Sequence, residues 1–179
     1  MATFLRLTFF ACLGAFLTSC VTSPETAQKL PASAGGSLAK VQKVRTTAYT
    51  HTERGGPRNA IGRRLSGNGV RSAASDWSRF PLGTRFRLIG TNEEYIIDDY
   101  GGALIGTNTI DLYKTSRAAM RKWGVRHVDI QILQWGSEAE SLKVLRPRHR
   151  VRIVRQMIDG LQSKSVAART RGAQAGGSL

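Results

Sequence analysis

The chain has 179 residues, which is the length of one domain with tails. Its 27 lysine and arginine residues outnumber 12 acidic ones, and the resulting formal charge of +15 favours an acidic partner. Two cysteines are too few for a disulfide-rich scaffold or for a site in which four thiolates hold a metal.

Residues 1–19 are predicted to be an export signal. Arg6 precedes a mostly apolar run at 7–17, which is too short to span a bilayer, since spanning takes about 20 residues. The run ends in LTSC at 17–20, which resembles the lipobox of bacterial lipoproteins, where the cysteine is acylated and becomes the new N-terminus. This predicts a lipid anchor on Cys20; plain signal-peptide cleavage and an uncleaved anchor are the alternatives.

Export changes what the cysteines and the charge imply. Cys12 lies in the removed segment and Cys20 carries the lipid, so no thiol remains for a disulfide or a metal. Outside the inner membrane the polyanions are peptidoglycan and anionic lipid or lipopolysaccharide, so we expect peptidoglycan rather than nucleic acid as the partner. A basic surface that only keeps the protein soluble is the alternative. Val21, where an aspartate would be an inner-membrane signal, favours a cell-envelope location at the periplasmic face of the outer membrane.

The next segments are predicted to be a tether and then a β-rich domain. Residues 20–40 are small and polar, typical of a flexible tether. The domain is expected at 41–135, beginning with a strand of alternating residues at 44–50. A glycine- and arginine-rich loop at 51–70 follows, and loops of this length are often functional.

The remaining elements of this domain follow in short succession. Ser116 is predicted to cap a helix that ends before Gly124, and Pro81 and Gly83 are expected to form a turn. Further strands are predicted at 71–76, 84–89, 94–99, 109–113 and 126–133. About six short strands and one helix indicate a mainly β fold, a small β-barrel.

Three aspartates are the candidates for chemistry. Asp99 precedes a turn that contains Gly101 and Gly102, Asp111 lies in the following strand, and Asp76 lies upstream. Burial and a like-charged neighbour raise the pKa of a carboxyl group, so one of these groups could donate a proton. Aspartates beside glycines also cap turns, and three carboxylates could instead hold a calcium or magnesium ion.

Several motifs together resemble the 3D domain, a family named for three aspartates and similar to the catalytic barrel of MltA-type lytic transglycosylases. The motifs, in chain order, are TAY at 47–49, AASD at 73–76, FPLGT at 80–84, DYGGALIG at 99–106 and IDLY at 110–113. The resemblance implies a double-psi β-barrel that acts on peptidoglycan glycan strands without a metal or another cofactor.

The resemblance also implies roles for individual residues. Asp111 is expected to be the catalytic acid/base, with Asp99 as its catalytic neighbour and Asp76 as a third carboxylate that holds either the constellation of carboxylates or the substrate. From their positions alone, the other substrate-binding candidates are Thr47, Tyr49, Gly101, Gly102 and Trp77, the last by stacking on a sugar ring. Packing in the barrel is the alternative for Thr47 and Tyr49. A non-catalytic peptidoglycan-binding or structural lipoprotein is the alternative function, and a glycan hydrolase is the second alternative.

The C-terminal part is predicted to be a basic helix and a tail. Apolar residues recur at helical spacing in an arginine-rich segment, so we expect a basic amphipathic helical extension at 136–162. It is expected to pack on the barrel or to lie on an anionic surface. Residues 163–179 are small, polar and basic, which predicts a disordered tail. The oligomeric state is left open.

Overall fold

A computed structural model describes residues 41–175, with side-chain environments for 42–167. The predicted signal segment at 1–19, the lipidation site Cys20 and the tether at 20–40 lie outside the described residues. Within the described part of the chain, no helix is long and apolar enough to cross a membrane.

Six strands and three α-helices make up this part of the chain. The strands are β1 (Val41–Tyr49), β2 (Arg71–Ala74), β3 (Arg85–Leu88), β4 (Glu94–Asp99), β5 (Thr109–Tyr113) and β6 (Arg126–Gln134). The helices are α1 (Arg117–Trp123), α2 (Glu138–Leu145) and α3 (Arg152–Ala175). Short 3-10 turns lie at Gly102–Leu104 and Arg146–Arg148.

The strands close into a barrel in the order β1-β5-β2-β4-β3-β6. The β1–β5 and β2–β4 pairs are parallel, whereas β1–β6, β2–β5, β3–β4 and β3–β6 are antiparallel. Closure leaves no open edge to the sheet. The expected small, mainly β barrel is therefore confirmed.

The barrel interior follows from the alternation of side chains along each strand. Phe86 and Leu88 of β3 and Ile130 and Ile132 of β6 are buried, and the two arginines that alternate with the β3 pair lie on the outer face. Tyr95 of β4 stacks on Phe86 with ring centroids 5.6 Å apart. Since one face of each strand must be apolar to fill the interior, the two-residue period is enough to predict these positions.

The predicted helix and turn signals are present in the structure. Ser116 Oγ accepts a hydrogen bond from the Ala119 N–H at the start of α1, and Gly124 ends the helix with a φ of 62°. Gly83 has a φ of 89° after Pro81, as the turn requires. Glycine adopts this left-handed conformation without the steric cost of a side chain.

The C-terminal extension differs from the prediction in two ways. It consists of two helices, because Pro147 lies in the 3-10 turn between α2 and α3 and cannot donate a helical hydrogen bond. The predicted disordered tail at 163–179 is wrong in its first part, since α3 continues to Ala175. Alanine, lysine, arginine and glutamine favour helix, and a helix already nucleated by packing propagates through them.

Helix α3 packs on the barrel through its apolar face. Met157 and Leu161 are buried in the same apolar cluster as Trp77 and Phe80 from the chain after β2, and Leu145 of α2 completes it. Of the two placements considered for this extension, packing on the barrel is therefore the one that the structure has.

Candidate active site

Two of the three aspartates lie in one row across neighbouring strands. Thr47 of β1 pairs with Asp111 of β5, which is opposite Ala74 of β2, and Ala74 is opposite Asp99 of β4. Directly opposed residues share a face of the sheet, so the carboxylates of Asp111 and Asp99 flank the small side chain of Ala74. The predicted pairing of Asp99 and Asp111 is present in the register.

An irregularity in the β2–β4 pair decides which aspartate joins this row. Ala73 pairs with Ile97, but the next residue, Ala74, pairs with Asp99 and skips Asp98. An extra residue of this kind is a β-bulge, which re-aims the side chains that follow it. Asp98 is buried instead, and its Oδ2 accepts hydrogen bonds from Asn59 Nδ2 and Ser72 Oγ, both at 2.8 Å.

Asp111 is half-buried and held at one oxygen. Thr47 Oγ1 donates a 2.6 Å hydrogen bond to Oδ1. Burial raises the pKa of Asp111, the nearby Glu53 carboxylate raises it further, and the Thr47 hydrogen bond opposes this rise. Oδ2 accepts no hydrogen bond from the described part of the chain and is not enclosed, so it is free to meet a ligand.

Asp99 is held more firmly. Its Oδ1 accepts a 2.9 Å hydrogen bond from the N–H of Tyr100, and the backbone of Ala60 donates a further bond to the carboxylate. Burial is the main cause that raises the pKa of Asp99 to about 6. The hydrogen bond from Tyr100 lowers this pKa, and the charge of Asp98 raises it. Ala60 belongs to the long loop at 51–70, so this loop does contribute to the site, as its length indicated.

Tyr49 contacts Asp99 and lies close enough to Asp111 to sense its charge. Its hydroxyl lies 3.4 Å from Oδ2 of Asp99, and its ring contacts Tyr113 edge to face with the centroids 5.6 Å apart. Burial raises the pKa of Tyr49, as do the charges of Asp99, Asp98 and Asp111. The hydroxyl therefore keeps its proton at neutral pH and donates to Asp99. Thr47 and Tyr49, both predicted from β1, are thus in the site.

Trp77 does not line the site, and its predicted stacking on a sugar ring is wrong. Its side chain is 0% exposed, because the indole fills the core between the barrel and α3. Its Nε1 donates a 2.8 Å hydrogen bond to the backbone oxygen of Asp99, and its ring meets Tyr100 edge to face. Trp77 therefore supports the backbone of Asp99 from inside the core.

Asp76 is a turn cap, so of its two predicted roles it holds the constellation and does not contact substrate. The residue is 2% exposed, its Oδ1 accepts from the N–H of Ser78 and its Oδ2 from the N–H of Gly106, both at 2.8 Å. Both oxygens are thus used to join the chain after β2 to the turn that follows Asp99. The third aspartate organises the site without facing it.

Gly101 and Gly102 form the turn after Asp99. Gly101 is extended and Gly102 starts the 3-10 turn. A Cβ added to Gly102 would lie 3.6 Å from the side chain of Ile153 in α3, so this turn lies against the C-terminal helix. A contact of either glycine with substrate stays a prediction.

Four contributors to the site were not among the predicted site residues. Glu53, His51 and the backbone of Ala60 come from the loop at 51–70, and His51 Nδ1 lies 2.9 Å from the hydroxyl of Tyr113. The fourth, Asp98, adds its charge to Asp99. The available signals were the length of the loop at 51–70 and the proximity of Asp98 to Asp99 along the chain. Among residues 41–175, no three histidine, cysteine or acidic side chains are grouped so that they could hold a metal ion.

Part of the chain matches a known family. Residues 71–134 match the model of the family described as the 3D domain. The matched range runs from β2 to the end of β6 and includes Asp76, Asp99 and Asp111. A search among curated proteins finds no match to the chain.

Proposed function

We propose that this chain, in which residues 71–134 form a 3D domain, cleaves peptidoglycan glycan strands as a lytic transglycosylase. The family is associated with barrels of the lytic transglycosylase type. The observation that carries the proposal is the carboxyl group of Asp111, which is half-buried, oriented by Thr47 and open at its second oxygen. We propose Asp111 as the acid and base of the reaction.

The first step requires a proton on the glycosidic oxygen. An ordinary aspartate is deprotonated at neutral pH, but burial and Glu53 raise the pKa of Asp111 and increase its protonated fraction. Oδ2 gives this proton to the leaving oxygen as the bond between that oxygen and the anomeric carbon breaks. The Thr47 hydrogen bond then stabilises the carboxylate that forms.

The second step closes the sugar on itself. The 6-hydroxyl of the same sugar bonds to the anomeric carbon, and its proton returns to Asp111, which leaves a 1,6-anhydro end. No water is consumed and no cofactor is required. Asp99 stabilises the positive charge that develops on the sugar ring. Its carboxylate is held in place for this by Tyr49, Tyr100 and Ala60.

The test is muropeptide analysis of purified sacculi after incubation with the protein. We expect 1,6-anhydro ends from the unaltered chain and their loss with Asp111→Asn, by at least about 100-fold because an amide cannot exchange the proton. Asp129→Asn on the exposed part of β6 is the matched control and should keep full activity. Full activity of Asp111→Asn rejects Asp111 as the acid.

The same experiment separates the other functions. Reducing ends in place of anhydro ends indicate a hydrolase. Retention of the protein on sacculi with no released fragment indicates a peptidoglycan-binding or structural role. Either result overturns the transglycosylase proposal.

We further propose that the protein is held in the cell envelope by a lipid on Cys20, at the periplasmic face of the outer membrane. The sequence LTSC at 17–20 and Val21 support this location. Incorporation of labelled palmitate should be lost with Cys20→Ala. Labelling that persists in this variant contradicts the anchor.

A further inference from the structure

A cavity of about 570 Å³ lies next to the carboxylate row and has no part in the chemistry described above. Its walls include the rings of Tyr113 and Trp123, and its charged side chains are Arg71, Lys114, Lys122, Arg126 and Glu93. It therefore combines an aromatic surface with a strongly cationic wall.

The positive charges of this cavity are incompletely neutralised. Glu93 forms ion pairs with Arg71 and with Lys114, whose Nζ lies 3.3 Å from Oε2. Within the described part of the chain, Lys122 and Arg126 make no ion pair with an acidic side chain. Four cations and one carboxylate leave a net charge of +3 around the cavity. Such an excess attracts an anion.

Lys114 is the most firmly placed of these cations. Its side chain is 13% exposed, and its Nζ donates a 2.7 Å hydrogen bond to the hydroxyl of Tyr95 and lies 4.5 Å from the centre of the Trp123 ring. Burial and the nearby Arg71 and Arg126 lower the pKa of Lys114 to about 8. The fold thus holds a lysine where its charge is costly, and a bound anion would offset that cost.

The cavity adjoins the proposed active site through Tyr113. This residue lines the cavity, contacts the ring of Tyr49 and follows Asp111 by two positions on β5. Two residues of a strand span about 7 Å, and both side chains project from the same face. If a glycan strand is cleaved at Asp111, the sugars next to the cleaved bond therefore lie at the cavity.

We propose that this cavity binds a carboxylate of the glycan strand, with Lys114 and Lys122 as its cationic contacts. The placement relative to Asp111 depends on the proposed function. Two parts of peptidoglycan carry this group: the lactyl ether of a peptide-free strand and the stem peptide. Trp123, whose ring centre lies 4.5 Å from Lys114 Nζ and 4.3 Å from the Arg126 guanidinium, holds these cations in place beside the cavity.

The experiment measures the affinity of soluble glycan strands for the full chain at fixed low salt, in an Asp111→Asn background that prevents cleavage. Lys114→Met and Lys122→Met are compared with Lys143→Met, which removes the same charge from an exposed position on α2. Lys122 is exposed, so its variant is expected to fold even if Lys114→Met does not. Peptide-free strands, peptide-bearing strands and strands with amidated carboxyl groups are the ligands.

We expect Lys122→Met to weaken binding about fivefold and Lys114→Met more strongly, while Lys143→Met has no effect. Amidated strands should bind more weakly than unmodified strands to the parent. Lys114→Met and Lys122→Met should not lower the affinity for amidated strands any further. The strand type on which the variants lose affinity identifies the source of the carboxylate. Equal binding by all three lysine variants, or no effect of amidation, overturns the proposal.

The two proposals fail separately. If Lys122→Met loses binding but the unaltered chain makes no anhydro product, the carboxylate site is supported and the transglycosylase proposal is rejected. If the chain makes anhydro product normally and the lysine variants bind as the parent does, only the proposal of a carboxylate site is rejected.

Discussion

Thr47 Oγ1 donates a 2.6 Å hydrogen bond to Asp111 Oδ1 across the parallel β1–β5 pair. The two residues are 64 positions apart in the chain, and the pairing of β1 with β5 brings them together. The bond holds one oxygen of Asp111 and leaves the other open.

Removal of this hydroxyl should alter the pH dependence of the reaction. The Thr47 bond lowers the pKa of Asp111, so in Thr47→Val we expect the alkaline limb of the pH–rate profile to move to higher pH, with about tenfold lower kcat from lost orientation. Release of anhydro muropeptides between pH 4 and pH 9 measures both effects. Thr47→Ser, which keeps the hydroxyl, should resemble the parent. A Thr47→Val profile that superimposes on the parent profile contradicts the assigned role.

Asp99 should destabilise the fold at neutral pH. Its pKa rises from 3.8 to about 6 on folding, so the folded chain binds more protons than the unfolded chain between these values. The free energy of unfolding therefore falls as the pH rises through this window. Asp99→Asn should be more stable than the parent by about 1 to 3 kcal/mol at pH 8, with the difference gone below pH 4.

Urea unfolding at pH 4, 6 and 8 checks this prediction. Asp129→Asn, on the exposed part of β6, is the control and should show no such dependence. A gain for Asp99→Asn that is equal at pH 4 and pH 8 would mean that ionisation is not its cause.

Loss of the Asp76 carboxylate should cost stability and leave chemistry intact. Asp76→Ala leaves the N–H groups of Ser78 and Gly106 without their acceptor, which costs about 2 to 5 kcal/mol. Asp76→Asn keeps one acceptor oxygen and should cost less. Urea unfolding gives the stability, and anhydro product per folded molecule gives the activity. If the Asp76→Ala protein has normal stability but makes no product, Asp76 acts in the reaction itself.

Packing of α3 on the barrel should be measurable in the same way. Leu161 is 1% exposed, so Leu161→Ala should lower the free energy of unfolding by about 2 to 4 kcal/mol. Val151, just before α3, is 51% exposed, and Val151→Ala should change stability by less than about 0.5 kcal/mol. Equal effects of the two substitutions would show that the helix is not part of the core.

The strands, helix α1 and its caps were predictable because they depend on local patterns. Alternation along 84–89 and 126–133, Ser116 and Gly124 each determine structure within a few residues. The predicted helical extension at 136–162 did not separate α2 from α3, although Ser137 and Glu140 form a cap signal for α2, with Ser137 Oγ accepting from the Glu140 N–H. Motif spacing also predicted Asp99 and Asp111 as neighbours, as the register shows.

The sequence by itself determined a small barrel with carboxylates around a glycine turn, because side-chain period and turn chemistry act over short distances. The tertiary structure decided which of these carboxylates face one another. The bulge opposite Ala74 turns Asp99 toward Asp111 and buries Asp98, and the backbone of Gly106 takes up Asp76 as a cap. Burial also placed Trp77 in the core. These outcomes depend on strand register and on which surfaces are covered, and both are set by contacts between residues far apart in the chain.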